Sequence, residues 1–136
     1  MVNNTSPRPS ATRAPGRLTV VTMLVAGYLV LTVATLAALA ILSVTAPEQA
    51  TSEAWGHAVI VALFAALLLI RLRAARRGSS RALTAVGLIA GILVVANLVE
   101  AALPHSFPGW MRVQMVVVAV LMAGTGFAVR RIRHTR

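Results

Sequence analysis

The chain has 136 residues, 58% of them hydrophobic and 12% charged, with thirteen arginines, three glutamates, no lysine, aspartate or cysteine, and a net charge of +10. So much apolar surface excludes an ordinary water-soluble domain, and the missing cysteines exclude disulfides, thiolate nucleophiles and cysteine metal sites. Without lysine there is no Schiff base or Ser–Lys dyad, and three scattered carboxylates leave little for acid–base catalysis, so no enzyme is expected.

The basic balance would by itself suggest a nucleic-acid binder. Here, however, the arginines abut apolar runs and read as topology signals, so no nucleic acid is expected. Residues 1–17 are polar, with Pro7, Pro9, Pro15, Arg8, Arg13 and Arg17, and read as a disordered basic cytoplasmic tail drawn to anionic headgroups. From Leu18 to Ala46 no charge appears, which predicts a first helix long enough to span the ~30 Å hydrocarbon core with tilt, stopped by Pro47. Val44, Thr45 and Ala46 look like a signal-peptide cleavage site, but the apolar run exceeds the roughly 7–15 residues of an h-region and Pro47 would follow the cut. A retained helix is expected.

A second helix is predicted over about 54–77, entered at Trp55 and closed by Arg71, Arg73, Arg76 and Arg77, with Gly78 as a left-handed stop. Ser79 or Ser80 can cap a third over about 81–103, ended by Pro104. The fourth covers about 110–130 from Trp110, and residues 131–136 form a second basic tail. The expected fold is an all-α membrane protein whose domain, 18–130, is four transmembrane helices in two antiparallel hairpins. The hairpins are faintly alike: Trp55 and Trp110 are each followed two residues on by a polar group, His57 or Arg112.

Twelve arginines fall on the side of the termini and the central loop, and only Arg112 on the other, so both termini are expected in the cytoplasm of a multi-pass plasma-membrane protein. All three glutamates fall on the opposite side.

Two features stand out within the helices. Gly87 and Gly91 lie one turn apart and allow close backbone approach in helix packing, with Ala34/Ala38 and Ala58/Ala62/Ala66 as weaker versions. Asn97 and Glu100 share another face of the third helix. Glu100 lies about 5 Å below Leu103 and Arg112 about 3 Å below Trp110, so an ion pair closing the second hairpin is expected, with His57 and Gln114 in the same layer. Such a layer either satisfies its own charges or receives a solute, headgroup or proton. His57 and His105 without a second shell define no metal or haem site, and no metal or cofactor is expected.

Arginine-only basicity on helices rich in alanine, valine and leucine resembles the uncharacterised small four-helix integral membrane proteins of GC-rich actinobacteria. The likeness lies in topology and composition and transfers no residue role. Small multidrug-resistance transporters share the size and helix number, but they use an acid within the first helix, which this chain lacks. The expected function is a non-enzymatic membrane subunit or accessory protein acting through helix–helix association with a membrane-protein partner or further copies of itself. The alternative is a small-solute or ion carrier using the extracytoplasmic polar cluster.

Overall fold

A computed structural model of the chain describes residues 13–135, with side chains from residue 16 onward. Four helices, α1 (Arg13–Thr45), α2 (Ser52–Arg76), α3 (Ser80–Ala102) and α4 (Gly109–His134), form an all-α structure without strands among the described residues. All four are long and apolar enough to cross a membrane. Of the tail expected at 1–17, residues 1–12 lie outside the described part, while 13–17 open α1. The basic segment expected from residue 131 continues α4 to His134, since arginine is a good helix former and its charge suits a helix C-terminus.

Local chemistry accounts for the helix ends. Pro47 opens a single 3-10 turn, Pro47–Gln49, after which the Thr51 hydroxyl accepts the Ala54 N–H at 3.2 Å and caps α2. Gly78, at φ +99°, supplies the left-handed stop after α2. The Ser79 hydroxyl then accepts the Ala82 N–H at 3.2 Å, so Ser79 rather than Ser80 is the cap of α3. Ser79→Ala should therefore cost about 1 kcal/mol in thermal unfolding in mild detergent, and Ser80→Ala close to nothing.

Each helix packs on its successor, and α4 returns to α1. The Tyr28 hydroxyl on α1 donates to the Val61 carbonyl on α2 at 2.9 Å, and the Trp55 indole donates to Ser43 Oγ at 3.3 Å. At the opposite end Arg17 Nη1 donates to Thr135 Oγ1 at 2.7 Å and ties the start of α1 to the end of α4. Inside the ring, one large apolar cluster, including Val25, Tyr28, Leu68, Val86, Leu93, Met122 and Val129, fills the middle and the arginine-bearing end. A smaller one, Leu39, Ala54, Ala58, Met111 and Met115, fills the other end.

The alanine spacings are redistributed. Ala34 and Ala66 face outward, and α2 instead turns Ala54, Ala58, Val61, Ala65 and Leu68 inward. Valines and leucines such as Val30, Leu63, Leu88 and Val120 point away from the bundle.

Candidate functional site

Buried polarity is confined to few places. Thr32, Thr35 and Thr125 donate their hydroxyl hydrogens to the carbonyls of Tyr28, Leu31 and Leu121, each four residues back in the same helix, and are thereby satisfied. The remaining buried polar side chains, His57, Asn97 and Gln114, all sit toward the end of the bundle opposite the main arginine clusters.

His57 lies on the inward face of α2 beside Ala54 and Ala58. Its Nδ1–H donates to Glu100 Oε2 on α3 at 2.5 Å, with the histidine side chain 4% and the glutamate 30% exposed. The Phe107 ring meets the imidazole edge-on, centroids 5.7 Å apart, and braces it from the 103–108 turn. Asn97, one turn below Glu100, donates through Nδ2 to the Leu93 carbonyl at 2.8 Å. Gln114 is buried on α4 between Met111 and Met115.

The expected Glu100–Arg112 ion pair is not formed. Depth was matched but azimuth was not: Arg112 lies on the exposed side of α4, while its neighbours Met111, Gln114 and Met115 face inward. Its Nε and Nη2 both donate to the Ala101 carbonyl, at 3.1 and 2.9 Å. That carbonyl is in the last turn of α3, where backbone acceptors have no intrahelical donor, so Arg112 acts as a C-terminal cap. The likeness of α2 to α4 ends here as well, because His57 is buried and Arg112 exposed.

Five buried polar atoms have no hydrogen-bond partner among the described residues: His57 Nε2, Asn97 Oδ1, Trp110 Nε1 and both amide atoms of Gln114. Each such atom left unsatisfied costs about 1–3 kcal/mol, so the layer is chemically suited to exchange hydrogen bonds with water or a small polar molecule. Trp110 and Phe107 belong to the layer, although the sequence marks only Trp110, as an interfacial aromatic, and gives no signal for Phe107. The inward rotation of His57 has no signal in the sequence, because α2 is apolar on nearly every side. No group of three or more His, Cys, Asp or Glu that could hold a metal occurs among the described residues.

The glycine pair divides. A Cβ at Gly87 would lie 3.0 Å from Val129 Cγ1, so this half-buried position serves the α3–α4 contact at the seam between the two helices. One at Gly91 would meet nothing within 4 Å, and Gly91 is exposed. It opens a notch on the outside of α3 bordered by Leu88, Ile92, Val95 and Ala96. Compared with family models, curated proteins and solved structures, the chain matches none, and no residue's role is carried over from a relative.

Proposed function

We infer that the chain is a non-enzymatic, multi-pass plasma-membrane subunit or accessory protein, folded as two antiparallel hairpins with both termini cytoplasmic, that works by seating a helix of a partner membrane protein against α3. The observation that carries this reading is the open notch at Gly91, Ile92, Val95 and Ala96, where a neighbouring backbone can approach more closely than at any branched residue. The confinement of buried polar groups supports it too. A carrier needs polar groups along its path, and the large apolar cluster occupies the bundle from its middle to the arginine end.

Native purification of the tagged chain in mild detergent, followed by mass spectrometry, tests the association. A stoichiometric membrane partner, or a second copy, should be recovered with the wild type and lost with Gly91→Leu. Recovery of the same partner with both chains would remove the notch from the interface.

The orientation has its own test. Single cysteines at Ser6, Ser52, Ser79 and Ser106, exposed in intact cells to an impermeant thiol reagent, should label at Ser52 and Ser106 only. Labelling at Ser79 would reverse the topology.

The unpartnered atoms around His57 and Gln114 favour a second reading, a one-sided site for a small polar solute. Loss of uptake or binding on Gln114→Leu, with thermal stability retained, would put the carrier ahead of the subunit.

A further inference from the structure

On its outer side the α3–α4 seam opens into a cleft of about 500 Å³. Gly87, Gly91 and Gly126 line its floor, Phe127 one wall, and Arg130 and Arg133 its end. A Cβ at Gly126 would meet nothing within 4 Å, so the opening is real space along the helix surface. The Arg131 guanidinium sits over the Phe127 ring, 4.7 Å from its centroid, holding that wall in place and adding a third positive charge beside the mouth.

Length and charge together identify an occupant. From Thr84 to Val94, its extremes along α3, the cleft covers ten residue-to-residue steps, about 15 Å at helical rise. That is half of the ~30 Å hydrocarbon core, the depth of one leaflet. Arg130 and Arg133 are exposed, have no acidic partner among the described residues, and lie at the end of the bundle remote from all three glutamates. A partner helix laid along the cleft would have to neutralise both guanidinium groups, whereas a lipid phosphate does so at the depth where headgroups lie.

We propose that this cleft is a binding site for an anionic phospholipid of the cytoplasmic leaflet, with one acyl chain along Gly87, Gly91 and Gly126 and the phosphate held by Arg130 and Arg133. The proposal rests on the membrane reading and orientation given above, but it does not need the partner helix. The notch for that helix shares Gly87, Leu88 and Gly91 with the cleft but includes none of Gly126, Phe127, Arg130 and Arg133, so changes at those four positions leave it intact.

The test uses the full chain purified in mild detergent containing equal amounts of phosphatidylglycerol and phosphatidylcholine with matched acyl chains, and quantifies the lipid retained by mass spectrometry. The wild type should retain phosphatidylglycerol preferentially. Arg130→Gln/Arg133→Gln should lower that preference by roughly fivefold per arginine, on the usual strength of a basic side chain at an anionic surface. Arg71→Gln/Arg76→Gln, which removes the same charge from exposed positions outside the cleft, should keep it. Gly126→Leu, which fills the floor with the arginines intact, should lower retention without lowering thermal stability.

Equal retention of the two lipids by the wild type overturns the proposal. So does an equal loss in both arginine pairs, or full retention by Gly126→Leu. A protein helix bound in the cleft in place of lipid overturns it too. A chain that stays soluble without detergent overturns the membrane reading itself, and an impermeant reagent reaching Ser79 in intact cells overturns the orientation.

Discussion

Glu100→Ala should destabilise the protein by about 1.5–3 kcal/mol, and most of that loss should vanish in a chain that already carries His57→Ala. Partial burial of the pair sets that magnitude. Exposed ion pairs contribute about 0–1 kcal/mol and breaking fully buried ones costs about 3–5. His57 is 4% exposed and Glu100 30%, so a charge-assisted hydrogen bond of intermediate strength is expected. Removing Glu100 also adds Nδ1 to the unpartnered atoms of the layer, where Nε2 already has none.

The cycle is run twice in mild detergent by thermal unfolding, once for Glu100 with His57 and once for Glu100 with Arg112. The first pair should couple by about 1 kcal/mol or more, and the second should be additive within about 0.5 kcal/mol. Arg112→Ala alone should cost less than Glu100→Ala, because its two bonds to the Ala101 carbonyl are solvent-exposed and that acceptor can turn to water. Coupling between Glu100 and Arg112 with none to His57 would contradict this arrangement.

Gly87→Leu and Gly91→Leu should have opposite consequences although they lie one turn apart. Leucine gains about 1 kcal/mol over glycine in helix propensity at either position. At Gly87 the new Cβ alone presses to 3.0 Å on Val129 Cγ1, and Val129 is buried in the main apolar cluster. Pressing a side chain onto buried Val129 costs about 1–3 kcal/mol and sometimes more, so strain outweighs propensity and the α3–α4 seam should open. At Gly91 nothing opposes the side chain, so the fold should be unchanged or slightly firmer while partner recovery falls. Thermal unfolding alongside native purification separates the two effects. Equal destabilisation by both variants would mean that Gly91 also faces a neighbour within the bundle.

The sequence by itself determined the four apolar helices and most of their ends, because those depend on neighbours in the chain. Uninterrupted apolar runs make helix the only local way to satisfy backbone hydrogen bonds away from water. Pro47, Gly78, Ser79 and Pro104 punctuate those runs through restrictions each residue carries with it. The depth of His57, Asn97, Glu100 and Gln114 along their helices was legible as well, since a rise of 1.5 Å per residue converts position into height.

Rotation about each helix axis was not legible, and it decided the site. Almost every face of these helices is apolar, so no hydrophobic stripe tells inside from outside, and in lipid apolar burial does not favour one face over another. Tertiary packing turned His57 inward to meet Glu100, sent Arg112 outward to the Ala101 carbonyl, and left Gly91 open while closing Gly87 against Val129. It also placed Arg130 and Arg133 at the end of an open seam, whereas the sequence shows only that they follow an apolar run. Those choices come from fitting small residues against large ones between helices, a property of pairs that one chain position does not carry alone.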